Sequence, residues 1–213
     1  MAKVAGVDEA GRGCVIGPLV VAGVLFEEER LPILRELGVR DSKRLTPRRR
    51  EALAAEIKEL AAGWSYFDLK PKDIDHVVNR GVKLRRLNYL EAMAMARVIR
   101  DLGPEKAYVD PADVVAERFV GHIKRVLPSG LWVHGEKNAD AIFPVVSAAS
   151  ILAKVRRDRL VAELRKVRGD FGSGYCSDGR TITFLESWFR ENDSCPTFIR
   201  GSWSTVRRIR GVD

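Results

Sequence analysis

The stretch Lys3–Phe26, KVAGVDEAGRGCVIGPLVVAGVLF, decides how this chain is read. Lys3 to Asp8 is expected to form a short first strand that ends in two adjacent carboxylates, Asp8 and Glu9. Val15 to Phe26 is rich in valine and bent by Gly17-Pro18, so one long or two short buried strands are expected. Adjacent carboxylates near a low-dielectric interior repel each other and resist ionisation. A hard divalent cation, Mg²⁺ or Mn²⁺, removes that penalty because it prefers carboxylate oxygens. Neighbouring strand residues point to opposite faces, so both acids meet one site only if the chain turns at Glu9. Gly11 and Gly13 permit that turn. Taken alone, the same residues fit an exposed acidic turn better, since exposed acids are the norm. A dinucleotide fingerprint is excluded: Gly11-x-Gly13 is followed by Gly17, not by a glycine at position 16, and β-branched residues follow instead of a helix.

Further along, Glu27 to Val39 reads as a charged connection. Thr46-Pro47 supplies a cap and a first-turn proline for a helix carrying Leu53, Ile57 and Leu60, stopped by Gly63. Trp64 to Leu69 reads as a strand, and Lys83 to Leu102 as a helix ended by Gly103-Pro104. Lys106 to Asp110 (KAYVD) is a second strand ending in an acid. Val114 to Val126 is expected to be helical, with Asp113 as its cap, and Leu131 to His134 to be a short strand. Asp140 stands just before the longest helix, expected from Pro144 to about Val167. Gly169 to Arg180 is a Gly/Ser loop, followed by a helix over Thr181 to Asn192 and an irregular basic tail. Strands first and helix–strand alternation afterwards imply an α/β layer with a mixed sheet.

Asp110 and Asp140 each have an ordinary reading as a turn residue or as a helix-end charge. Their shared placement at element ends with Asp8 and Glu9 makes them candidates for one metal site. On the long helix Ser147, Ser150, Lys154 and Arg157 share a stripe about 80° wide, at 100° per residue, suited to phosphates or simply to solvent. Val146, Ala149, Ala153, Leu160, Leu164 and Val167 form a neighbouring apolar stripe.

The chain has 213 residues and a net charge of +8, with a pI near 9.6, which favours an anionic partner such as nucleic acid. Cys14, Cys176 and Cys195 are too dispersed for a disulfide framework or a zinc site, which fits a reducing, cytoplasmic setting. The longest apolar run is too short and too glycine-rich for a membrane span, and Asp8 and Glu9 interrupt any signal sequence.

Together GVDEAGRG (residues 6–13), DSK (41–43), YVD (108–110), KNADAIFPVVSAASILAKVRRD (137–158) and GSGYCSD (172–178) resemble the type 2 ribonuclease H family, ribonuclease HII, in its compact archaeal form. The resemblance implies a ribonuclease H-like mixed central sheet flanked by helices, with a helical carboxy-terminal segment. Domains are expected at 1–168 (catalytic) and 169–213 (substrate-binding). It further implies cleavage of RNA in RNA–DNA hybrids and incision at single ribonucleotides in duplex DNA, with two Mg²⁺ or Mn²⁺ ions and products bearing 3′-hydroxyl and 5′-phosphate ends. By the same resemblance, Asp8, Glu9, Asp110 and Asp140 are the metal ligands. Gly11, Arg12 and Gly13 read the 2′-hydroxyl through backbone groups, Tyr175 packs on the adjoining nucleotide, and Lys43 and Lys154 contact phosphates. Ser42, Ser147 and Ser150 join the substrate-binding candidates. Cys176 and Asn138 depart from the family's usual wording. A monomer is expected. No sliding-clamp motif stands out in TVRRIRGVD (205–213), which leaves clamp binding open. The rival readings are another metal-dependent nuclease on a similar sheet and a non-catalytic basic nucleic-acid-binding protein.

Overall fold

The computed structural model describes residues 2–39, 45–80 and 83–212, the side chains of 83–85 excepted. Ser42 and Lys43, two of the expected substrate contacts, lie outside the described residues. The elements are β1 (Lys3–Ala10), β2 (Leu19–Glu27), a 3-10 turn (Glu28–Arg30), α1 (Pro32–Glu36), α2 (Pro47–Leu60), β3 (Gly63–Leu69), α3 (Pro71–Val78), α4 (Lys83–Leu102), β4 (Lys106–Val109), α5 (Ala116–Lys124), β5 (Trp132–Gly135), α6 (Ala139–Ile142), α7 (Pro144–Arg168), α8 (Gly179–Glu191) and α9 (Ser204–Arg210).

Among the described residues, five strands form one sheet in the order β3-β2-β1-β4-β5. β1 runs antiparallel to β2, with Asp8 opposite Ala22, and parallel to β4, with Val7 opposite Val109. β4 is parallel to β5, with Val109 opposite Gly135. The sheet is therefore mixed, as expected. Register does the important work here: Val7 and Val109 are level, so the acids that follow them, Asp8 in β1 and Asp110 just after β4, come from neighbouring parallel strands. That is where open α/β sheets place their ligands.

Contacts divide the chain into two compact units, one of Met1–Ala10, Val20–Phe67 and Asn88–Arg156, the other of Gly11–Leu19, Asp68–Leu87 and Arg157–Asp213. The boundary expected at residue 168 falls inside the second unit, which also takes in two earlier segments. In the first unit the amino-terminal part of α7 lies directly against β1. A Cβ on Gly6 would stand 2.2 Å from the Val145 carbonyl oxygen, so only glycine admits the helix there. Val146, Ala149 and Ala153 are fully buried, as the apolar stripe requires, whereas Val167 is 74% exposed.

In the second unit Val15, Ile16, Val161, Phe171, Leu185, Phe198, Ile199 and Val206 form the core, with Phe184, Trp188 and Trp203 against it. This corrects two expectations. The basic tail is not irregular: it contains α9, anchored by Val206. Residues 14–17 do not extend β2 but bridge distant chain, Cys14 to Tyr175 and Ile16 to Ile199. The connection after β2 likewise contains α1, which buries Leu34. Capping of α2 is as expected, Thr46 Oγ1 accepting from Arg49 N at 3.3 Å. At α5 the cap position is Val115. Asp113 instead accepts from Val115 N at 3.0 Å and pairs with Arg118, whose hydrogen bonding holds the Asp113 carboxyl well below the usual range. No described helix is long and apolar enough to cross a membrane.

Candidate active site

In the first unit, Asp8, Asp110 and Asp140 each bring a carboxylate oxygen within 4.8 Å of the other two. Asp8 lies near the end of β1, which runs on through Glu9 to Ala10 without the turn expected at Glu9, and Asp110 follows β4. Asp140 stands just before the long α7, as expected, within the short α6. Asp8 and Asp140 are each only 7% exposed. Burial raises the Asp8 carboxyl well above the usual carboxylate range. The charges of Glu9 and Asp110 raise it further, while the Ser150 hydroxyl and the Glu9 amide oppose the shift. That amide donates to Asp8 Oδ1 at 2.8 Å. Glu9 thus acts on Asp8 electrostatically, although its own carboxylate is not among the three converging groups.

The loop before Asp140 is tied to its neighbour. Asn138 adopts the left-handed conformation, φ 58°, which asparagine tolerates better than most residues. Its N–H donates to Asp110 Oδ1 at 3.2 Å. Sequence reasoning noted Asn138 only as an unusual residue and missed this role. An asparagine just before a one-turn helix was the available signal.

Such an arrangement of acidic side chains suits a divalent cation. The donors are hard oxygens, and buried like charges so close together are stabilised by positive charge among them. The histidines contribute nothing to it: among the described residues, the metal-competent group consists of the three aspartates.

The stripe expected on α7 is not one exposed face. Ser147 is buried, and its hydroxyl donates to the Val39 carbonyl, which removes it from the phosphate contacts. Ser150 faces Asp8 instead. Lys154 is half-buried. Arg157, in the second unit, is 1% exposed and turned inward.

The second unit holds the glycine-rich turn. Gly11 has φ +89°, and a Cβ on it would stand 2.9 Å from the Pro18 carbonyl oxygen. A Cβ on Gly13, by contrast, would meet nothing within 4 Å. Val15 and Ile16 donate their amides to the Gly174 carbonyl at 2.8 and 3.2 Å. The turn and the Tyr175 loop, about 160 residues apart in sequence, are thereby joined. Arg157 Nη2 donates to the Ser173 carbonyl at 2.6 Å, and its guanidinium lies 4.7 Å from the centre of the Tyr175 ring. Burial, with Cys14 beside it, pushes the Tyr175 hydroxyl up to about 12. The phenol therefore stays neutral at any ordinary pH.

Known proteins give this geometry its context. The sequence profile of the family described as ribonuclease HII matches residues 5–206. Ribonuclease HII of Methanosarcina acetivorans is 46% identical, over 97% of this chain and 95% of its own. The crystal structure of ribonuclease H2 from Pyrococcus horikoshii superposes with a TM-score of 0.89 at 42% identity, covering 98% of this chain and 97% of the other. The ribonuclease HII of Archaeoglobus fulgidus, solved in complex with PCNA, gives 0.86 at 42% identity, covering 97% and 96%. A converging trio of aspartates on a mixed sheet and agreement along nearly the whole sequence lead to one conclusion: this chain belongs to the ribonuclease HII family, metal-dependent endonucleases that cleave the RNA of RNA–DNA hybrids.

Proposed function

We propose that Asp8, Asp110 and Asp140, with Glu9 beside them, hold divalent metal, Mg²⁺ or Mn²⁺, for cleavage on the 5′ side of ribonucleotides, including single ones embedded in duplex DNA. The observation that carries this is the convergence of the three aspartate carboxylates, two of them buried, within 4.8 Å. When bound, two such ions supply positive charge to the scissile phosphate and favour deprotonation of an attacking water, leaving 3′-hydroxyl and 5′-phosphate ends. The rest is the work of this chain's own groups. Asp8, costly to ionise when buried, keeps the site selective for a cation of high charge. Ser150 and the Glu9 amide orient Asp8, and the Asn138 amide orients Asp110. Lys154 on α7 is available for phosphate.

Substrate choice belongs to the second unit. A protein that distinguishes RNA from DNA must sense the 2′-hydroxyl. Gly13 is exposed and a side chain there would touch no part of the protein, so the missing Cβ serves an approach from outside. The amides of Arg12 and Gly13 are suited to bonding the hydroxyl, and the Tyr175 ring to packing on the adjoining nucleotide. The setting is the cytoplasm. The A. fulgidus relative's complex with PCNA supports a sliding clamp as a partner here too.

The test is a duplex carrying one ribonucleotide, incubated with Mg²⁺, Mn²⁺ or EDTA beside an all-DNA duplex. Incision at the ribonucleotide with either metal, none with EDTA and none of the all-DNA duplex is expected. Binding without cleavage under every condition would favour a non-catalytic role.

A further inference from the structure

The turn Gly11–Gly17 is gripped from within by Arg200, a residue outside every motif singled out in the sequence. Its side chain is fully buried. Nη2 donates to the Gly11 carbonyl at 2.7 Å, Nη1 to the Arg12 carbonyl at 2.8 Å, and Nε and Nη2 to the Gly17 carbonyl at 3.2 and 3.1 Å. Its own backbone is fixed as well, Arg200 N donating to the Val15 carbonyl at 2.8 Å. Asp75 then secures the next residues, accepting from Gly201 N at 2.8 Å, Ser202 N at 3.0 Å and Ser202 Oγ at 2.5 Å. Trp203 lies 4.9 Å from the guanidinium carbon and covers it.

A trans peptide unit is planar, with its C=O and N–H pointing in opposite directions. Fixing the Gly11 carbonyl therefore fixes the direction of the Arg12 N–H, and fixing the Arg12 carbonyl fixes that of the Gly13 N–H. A planar guanidinium can bond several carbonyls at once in set directions, which an ammonium on a flexible stem cannot do. Burying a charge solely to fill space is costly, and apolar residues of similar volume often serve stability as well or better. The choice of arginine is explained by the carbonyl directions it imposes.

We propose that Arg200 is a positioning residue for substrate discrimination: by holding the Gly11 and Arg12 carbonyls it aims the two following amides at the ribonucleotide's 2′-hydroxyl. This rests on the reading of Gly11–Gly13 given above. Arg200 touches neither metal nor the scissile phosphate in this role. Its loss weakens recognition of the hydroxyl and leaves affinity for the duplex backbone intact.

The experiment measures kcat/KM on a duplex with one ribonucleotide and, in the same assay, the inhibition constant of an all-DNA duplex added as competitor. Arg200→Lys is expected to lower kcat/KM about tenfold, the worth of one hydrogen bond to a substrate hydroxyl. The competitor's inhibition constant and the rise in Tm with Mn²⁺ are expected to stay at wild-type values. Asp75→Asn leaves Arg200 in place but loosens its anchor, and is expected to change the same ratio less. It decides the question if Arg200→Lys does not fold. Val206→Ala, a core truncation, sets the pattern of plain destabilisation, in which all activities fall together with the folded fraction. Wild-type kcat/KM in both Arg200→Lys and Asp75→Asn, or the Val206→Ala pattern in them, overturns the proposal. A wild-type protein that does not distinguish the two duplexes overturns the underlying reading of the turn instead.

Discussion

Asp8, buried beside Glu9 and Asp110, is held in its neutral form to a higher pH than an exposed carboxyl would be. A carboxyl whose folded pKa lies above its unfolded one favours the fold fully below the unfolded value, about 3.9, and that contribution is lost as pH rises through the folded value. At neutral pH the metal-free protein therefore carries the cost of ionising Asp8. Asp8→Asn is expected to raise the metal-free Tm, by a margin that widens as pH rises, and to abolish the Tm increase on adding Mg²⁺. Cleavage should fall beyond the ~10–100-fold that loss of an outer partner of a metal ligand costs. Thermal melts with and without EDTA across the pH range check this, and a lowered metal-free Tm at neutral pH would contradict it. At Tyr175, replacement by alanine is expected to slow incision about 5–150-fold, in line with a stacking contact of ~1–3 kcal/mol. Tyr175→Phe, which keeps the ring, should stay near wild type in the same assay. Asp8 and Asp110 were legible as site residues because acids after apolar strands are chemically conspicuous. Arg200 and Asn138 were not, because their work is done on backbone groups and leaves no pattern in residue type.

Elements whose signals are local were readable. Thr46-Pro47 starts α2, and α4 and α7 follow their apolar periodicity to within a residue or two. What failed was non-local. Residues 14–17 look like strand, yet they are claimed by Tyr175 and Ile199 far along the chain. The carboxy-terminal tail looks merely basic until its few apolar residues are buried by partners elsewhere in the second unit. Ser147 shares a helical stripe with Lys154, but the chain at Val39 covers it. Two glycines separate the structural role from the functional one. Gly6→Ala places a Cβ against the Val145 backbone, where β1 meets α7, and is expected to cost about 1–3 kcal/mol, as overpacking does. Gly13→Ala meets no protein atom and should leave stability unchanged, yet impair incision at a ribonucleotide. Urea unfolding and the single-ribonucleotide assay, run on both variants, check the contrast. Equal stability losses would contradict it.

Over the whole molecule, a net charge of +8 gives nucleic acid a long-range attraction without sequence preference. Affinity for duplex is expected to fall with salt at a log–log slope of about −0.9 per phosphate neutralised, and fluorescence anisotropy at several salt concentrations measures it. A flat response would contradict an electrostatic share in binding. Charge alone does not separate a nuclease from a passive binder. The aspartates separate them, and sequence placed them only at element ends, whereas the parallel register of β1 and β4 brings Asp8 and Asp110 level. The most direct measurement of the central claim is an anomalous difference map from a crystal of this protein soaked in Mn²⁺. A peak is expected within about 2.0–2.4 Å of oxygens from Asp8, Asp110 and Asp140. A well-ordered site without such a peak at saturating Mn²⁺, or Mn²⁺ bound only at other residues, would contradict it.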